Sequence, residues 1–239
     1  MEACEDEHTF TTEIPEAEAL EPRNLKEAKS HSDWLLWERA IEEELKALRE
    51  AGTWEVVNLP KDANVVRSKW VFKAKKDASR NVIQYKARLV AQGFSQVPGV
   101  DYFDTFMPVT CLASIWTVLA FAAAEYYETG QIDIKSAYLN GELTSDEIIF
   151  MKQVPGYEEV GDEKGVKVYR LRKSSYSLKQ AGRRWYQKLV EIMMKLGFKR
   201  CEGDQAVFYR HCEVTGVLII ILVHVDDCTI MGKSQKLVD

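Results

Sequence analysis

Three things are scarce in this chain of 239 residues, and each scarcity closes off a class of protein. Cysteine is the first: there are five, an odd number, and no two have CxxC spacing. That argues against a disulfide framework or a zinc site and for reduced thiols. Long apolar runs are the second. The longest, residues 217–223, falls far short of the roughly 20 residues that a membrane-spanning helix needs, and the acidic N-terminus does not read as a signal peptide. An intracellular protein without a membrane partner is expected. Positive charge is the third. With 32 Lys and Arg against 37 Asp and Glu, the net charge of −5 lacks the basic surplus usual in nucleic-acid binders. What remains is ordinary globular composition, 46% hydrophobic and 29% charged, enough for one large or two small domains.

Charge is unevenly placed, and this weakens the third exclusion. Glu2, Glu5, Asp6, Glu7, Glu13, Glu16, Glu18 and Glu21 crowd the start, with Pro15 and Pro22 and no hydrophobic periodicity. Residues 1–33 are therefore expected to be an acidic disordered tail, and residues 34–239 the folded domain. Residues 61–88 carry Arg67, Lys69, Lys73, Lys75, Lys76, Arg80 and Lys86, and a second basic stretch covers 164–184. Basic strips can contact phosphate whatever the net charge, because the local field decides; they can equally be solvated faces. Composition leaves both readings open.

Periodicity supplies the elements. Trp34, Trp37, Ile41, Leu45 and Leu48 recur at helical spacing after Asp33, a plausible N-cap, and Gly52 closes the helix. Residues 53–59, 69–75 and 82–92 alternate as strands, and 77–81 is the turn of a basic hairpin. Residues 112–128 are Ala-rich and read as a buried helix ended by Gly130. Short strands are expected at 131–134, 148–152, 166–171 and 206–210. A helix spans 180–196, with Trp185, Leu189, Ile192 and Met193 inward and Gly197 as its C-cap. Residues 217–225 form a buried strand. No internal repeat is present.

At the end of that strand stand Asp226 and Asp227, followed at once by another apolar stretch to Met231. The pattern is a hairpin with two adjacent carboxylates at its turn. Adjacent acids repel, and either a divalent cation or plain solvent exposure compensates them. Asp133 lies between Ile132 and Ile134 on another short strand. Hard oxygen ligands from two strands are what magnesium takes, although spacing alone does not bring Asp133 to Asp226.

Read in order, the landmarks are Gly52-Thr53-Trp54-Glu55, Ser68-Lys69-Trp70-Val71-Phe72-Lys73, the run from Tyr85-Lys86-Ala87-Arg88-Leu89 to Gly93-Phe94, and Asp101-Tyr102-Phe103-Asp104-Thr105-Phe106. Then follow Gln131-Ile132-Asp133-Ile134-Lys135-Ser136-Ala137-Tyr138-Leu139-Asn140-Gly141, Leu178-Lys179-Gln180-Ala181-Gly182-Arg183-Arg184-Trp185 and Val225-Asp226-Asp227. From about residue 37 to 232 the chain resembles the reverse transcriptase domain of copia-type LTR retrotransposons, a segment of their Pol polyprotein. The resemblance implies an α+β right-hand polymerase with fingers and palm, a mixed antiparallel sheet with packed helices. It implies RNA-directed DNA synthesis with two Mg2+ ions, Mn2+ as a substitute, on an RNA template and DNA primer with dNTPs. Asp133, Asp226 and Asp227 would be catalytic residues and metal ligands. Lys86 and Arg88 would hold the incoming triphosphate, Tyr138 would crowd a ribose 2′-hydroxyl, and Gln180 would shape the nucleotide pocket. Association with other polyprotein products, and a cytoplasmic (virus-like particle) or nuclear setting, also follow from the resemblance.

The chain departs from the family pattern at Ser177, where a glycine is usual after Tyr176, at Ser175, at Trp116, where arginine is usual, and at His224, where tyrosine is commoner. A glycine at 177 with positive φ would make serine costly there. The thumb and RNase H regions that follow in the family are expected to be absent, which makes weak activity, or none, the expectation for the chain alone. The rival readings are a non-catalytic nucleic-acid-binding module and a decayed element remnant.

Overall fold

The computed structural model describes residues 21–158, 166–212 and 216–234. Most of the segment read as an acidic tail, residues 1–20, lies outside them. The chain divides into two compact units, one of Met1–Glu44 and Trp70–Arg88, the other of Leu45–Lys69 and Leu89–Asp239.

In the first unit, order begins before the boundary expected at Asp33. Helix α1 (Leu25–Ser30) is capped by Asn24, whose side chain accepts the Glu27 N–H at 3.0 Å, while Arg23 N–H donates to Glu27 Oε2 at 2.9 Å. This is a variant of the capping box, in which the Glu27 carboxylate reaches back to the N–H one residue before the cap. Helix α2 (Trp34–Glu50) follows. Its Trp37 is fully buried, meeting Phe72 and Tyr85 edge-on at 5.4 and 4.6 Å between ring centroids. The Asp33 carboxylate takes the Tyr85 hydroxyl at 2.7 Å. Strands β3 (Ser68–Lys76) and β4 (Val82–Ala91) form the expected hairpin, a two-stranded sheet. Along β3, Trp70, Phe72 and Ala74 are buried while Lys69, Val71, Lys73 and Lys75 are exposed, the period of two that alternation demands. Glu21 joins this strand, with one carboxylate oxygen on Lys73 Nζ and the other on Ala74 N–H, both at 3.0 Å.

The second unit holds two sheets. One orders β1 (Trp54–Asn58), β7 (Lys167–Leu171), β6 (Phe150–Met151) and β2 (Val65–Val66), with the two-residue β2 and β6 paired in parallel. Trp54 stacks on Tyr169 at 4.4 Å across β1 and β7. The other is antiparallel: β5 (Glu128–Asp133), β11 (Asp227–Gly232), β10 (Val217–His224), β9 (Val207–Cys212) and β8 (Lys199–Arg200).

Strand β10 is apolar on both faces because helices pack on both. Helix α4 (Ala181–Lys195) lays Trp185, Tyr186, Leu189 and Met193 against Phe208, Ile219, Ile221, Val223 and Cys228. Helix α3 (Leu112–Ala124) packs Ile115, Val118, Leu119 and Ala122 against Val207, Ile220, Leu222 and Met231. Each fully buried aliphatic side chain contributes roughly 1.5–3 kcal/mol, so these two layers are a major source of the unit's stability. Thr110 locks the sheet from the α3 approach, donating to the Val223 carbonyl at 2.7 Å and accepting the Val223 N–H at 3.0 Å.

Three expectations are corrected. The helix read over 112–128 ends at Ala124, and Gly130 lies inside β5 rather than closing the helix. That helix is also not buried: Leu112, Trp116 and Phe121 are 67%, 64% and 39% exposed, and only the Ile115–Ala122 stripe faces the sheet. In α4, Ile192 is exposed and Tyr186 takes the inward place.

Candidate active site

The β10–β11 hairpin turns through Val225 and Asp226, and β11 starts at Asp227. Asp227 is the direct cross-strand partner of Asp133, the last residue of β5. The Ile134 N–H then donates to the Asp226 carbonyl at 2.9 Å. The fold therefore brings all three aspartates to one end of one sheet, although 93 residues separate the first from the second. All three are exposed, and among the described residues none has an ion-pair partner. Nor does any group of three His, Cys, Asp or Glu among them stand close enough to form a ready-made metal cage. The donor set is nonetheless hard carboxylate oxygen throughout and accessible to solvent, which is the chemistry that fits Mg2+.

Their charge is felt locally. Cys228 is pushed up to about 11, first by burial and then by Asp227 and Asp226. Tyr138 is raised as well, by burial first, then by Asp226 and Tyr176. Tyr138 sits on the 3-10 turn Ala137–Asn140, which β5 reaches through Ser136 in a left-handed conformation. Its ring meets that of Tyr176 edge-on at 5.8 Å and 88°.

Val225 has φ +63, a costly conformation for a β-branched residue. What holds it is a group that periodicity assigned only to the core: the Trp185 indole N–H donates to the Val225 carbonyl at 2.7 Å. Such strain is tolerated where the surroundings over-determine it.

Ser177 also has positive φ, +69. The serine that stands where the resembling family has glycine thus pays the left-handed penalty. Its carbonyl presses on Gly93: a Cβ there would lie 2.0 Å from Ser177 O, so position 93 tolerates only glycine without backbone movement. We expect Ser177→Gly to stabilise the protein by about 1 kcal/mol, read as a rise in the urea midpoint at unchanged slope. A fall in the midpoint would show that the serine side chain offsets its own backbone cost.

Gln180 is fully buried. Its amide accepts from Gln96 Nε2 at 3.1 Å and donates to the Asp101 carbonyl at 3.0 Å. Gln96 in turn accepts the Lys179 N–H at 2.8 Å, and Asp101 takes Asn64 Nδ2 and the Val97 N–H at 2.6 and 2.7 Å. No sequence pattern announces the long-range bonds of this network, because partners 37 to 84 positions apart share no periodicity. Lys86 and Arg88 belong to the first unit, on β4, where Arg88 is exposed and Lys86 half-buried. The four arginines of the second basic stretch are paired inside their own unit. Arg170 and Arg172 both pair with Glu55, Arg183 with Asp104 and Arg184 with Glu147.

Residues 51–239 match the family described as Reverse transcriptase (RNA-dependent DNA polymerase). The chain is 40% identical over 218 residues, 91% of its length, to the Retrovirus-related Pol polyprotein from transposon TNT 1-94 of Nicotiana tabacum, but covers 16% of that protein. It is 33% identical over 229 residues, 95% of its length, to the Retrovirus-related Pol polyprotein from transposon RE1 of Arabidopsis thaliana, covering 15% of it. A Transposon Ty1-LR3 Gag-Pol polyprotein of Saccharomyces cerevisiae is 30% identical over 205 residues, 82% of this chain and 10% of that one. The chain thus spans about one sixth of the length of its plant relatives, and it belongs to the reverse transcriptase family, as a domain of the copia-type Pol polyprotein kind.

Proposed function

We propose that this chain is the fingers and palm of an RNA-directed DNA polymerase, with Asp133, Asp226 and Asp227 as its nucleotidyl-transfer site. The observation that carries the proposal is the convergence of three exposed aspartates at one sheet end, with no counter-ion among the described residues. Two Mg2+ ions bound there, or Mn2+ in their place, would supply activation of the primer 3′-hydroxyl and neutralisation of the leaving pyrophosphate. The residues themselves hold and orient. Asp133 and Asp227 face each other across paired strands, and Asp226 reaches the same end through its turn.

In this reading the β5–β11–β10–β9–β8 sheet with α3 and α4 is the palm, and the β3–β4 hairpin is part of the fingers. Lys86 and Arg88 on β4 hold the triphosphate, Arg88 through the two-pronged contact that a guanidinium offers. Tyr138 limits the space for a 2′-hydroxyl. Gln180 shapes the pocket from behind, by fixing Gln96 and the Asp101 turn rather than by touching nucleotide. RNA template, DNA primer and dNTPs are the proposed substrates, and the setting is a longer polyprotein. Residues 34–239 form the working domain, preceded by an acidic segment.

The test is extension of a 5′-labelled DNA primer on an RNA template by the purified chain with Mg2+ and dNTPs. Weak, distributive extension that requires the divalent ion is expected. Salt-dependent binding to the primed template without any incorporation, in Mg2+ or Mn2+, would replace the polymerase reading with that of a binding module.

A further inference from the structure

The fold fixes the backbone of Tyr138 by hydrogen bonds and leaves its ring to packing, against the core on one hand and Tyr176 on the other. The Tyr138 carbonyl accepts the Gly141 N–H at 3.1 Å and the Ser174 hydroxyl. These bonds hold the 3-10 turn in place. They do not set the ring, whose rotamer is decided by what packs against it. The ring packs against the core cluster beneath α4 and also meets the Tyr176 ring, edge-on at 5.8 Å and 88°. Both rings are partly exposed.

Tyr176 is itself rooted. Its carbonyl accepts the N–H of Ala91, the last residue of β4, at 3.1 Å. The next residue, Ser177, is left-handed, and its carbonyl fills the space that Gly93 leaves by lacking a side chain. Leu178 N–H closes the turn on the Ser175 carbonyl at 3.2 Å. Tyr176 is therefore a ring on a clamped turn, pressed against a ring on a second clamped turn, beside Asp226.

We propose that Tyr176 is a positioning residue that holds the Tyr138 ring in place and thereby sets how strongly the site rejects a ribose 2′-hydroxyl. The inference rests on reading the aspartate end as a dNTP site, with Tyr138 against the sugar. Loss of the edge-on contact leaves the core as the ring's remaining support and lets it tilt away from the sugar side. The consequence is a gain: a ribonucleotide that was excluded now fits. A residue that only supports the fold would weaken both nucleotides together.

The experiment uses the full chain on a primed RNA template whose primer ends in a dideoxynucleotide, so that binding is read without chemistry. Dissociation constants for dATP and ATP are measured with Mg2+ for the wild type, Tyr176→Phe, Tyr176→Leu, Tyr176→Ala and Tyr138→Ala, beside thermal unfolding of each. An edge-to-face aromatic contact corresponds to a factor of roughly two to ten. Tyr176→Ala and Tyr176→Leu should therefore lower the preference for dATP by about that factor through tighter ATP binding, with dATP nearly unchanged. Tyr176→Phe, which keeps the ring, should retain the wild-type preference, and Tyr138→Ala should lose it.

An unchanged preference in folded Tyr176→Leu overturns the positioning role alone. So does a loss in Tyr176→Phe equal to that in Tyr176→Ala, because the ring would then not be the agent. A wild-type chain that binds neither nucleotide overturns the underlying reading of the site, and this proposal with it.

Discussion

Asp226→Asn should lower primer extension by a factor of about 100 to 1000, the size seen when one electrostatic contact to a developing charge is removed, while leaving the fold as stable as before. Asparagine matches aspartate in shape. The structural contact of Asp226 is made by its backbone carbonyl, which accepts the Ile134 N–H and is untouched by the change. The side chain is exposed, and among the described residues it pairs with no cation, so no ion pair is broken. Removing one of three like charges at a sheet end relieves repulsion instead.

A second readout needs no activity at all. The Asp226 charge helps to hold the Cys228 thiol near 11, behind burial and Asp227. Neutralising it should make that thiol ionise at lower pH, seen as faster alkylation of Cys228 in alkaline buffer. Extension that survives in Asp226→Asn at wild-type rate would remove the aspartate end from the mechanism. An unchanged Cys228 reactivity profile would show that its field does not reach the thiol.

Arg184→Ala should destabilise the second unit by about 3–5 kcal/mol, the usual cost of breaking a buried ion pair from one side. Glu147 is 1% exposed and Arg184 13% by side chain, and they meet at 2.6 Å. The same guanidinium bonds Thr144 Oγ1 and Gln187 Oε1, each at 2.8 Å. Truncation strands the Glu147 carboxylate in the interior, and that stranding is most of the cost. A change of this size lowers Tm by roughly 10 °C in a chain of this length. Replacing both partners together, as in the double variant Glu147→Leu with Arg184→Met, should recover much of the loss, since a buried pair gains little over well-packed apolar groups. A single variant that unfolds within a degree or two of wild type would mean that water already reaches Glu147.

Which of these features could be read from the sequence follows from how far their signals extend along the chain. The aspartate hairpin was legible because its signal is local: two acids between apolar runs. The alternation in β3 was legible for the same reason. Helix α3 is not legible in this way, because uniform apolarity has no face. Nothing in Leu112, Trp116 or Phe121 marks them as outward, and only packing picks out Ile115, Val118, Leu119 and Ala122. Helix α1 carried its start signal in Asn24 and Glu27, but the acidic composition around it outweighed three residues of capping chemistry. The β2–β6 pair, two residues long and parallel, is shorter than any period. The Gln180–Gln96 and Arg184–Glu147 contacts depend on chain return, which a local window does not see. The basic stretch over 164–184 looked available for phosphate in sequence, yet the fold gives four of its arginines to Glu55, Asp104 and Glu147.

The hydrogen bond from Trp185 to Val225 has one more consequence. The turn that carries Asp226 cannot leave its left-handed conformation without releasing the indole proton, held at 2.7 Å on a ring that is 2% exposed. The breathing of the aspartate turn is thereby tied to the lifetime of one N–H. In a 15N-labelled sample, the rate at which that single proton is replaced by deuterium counts how often the hairpin opens.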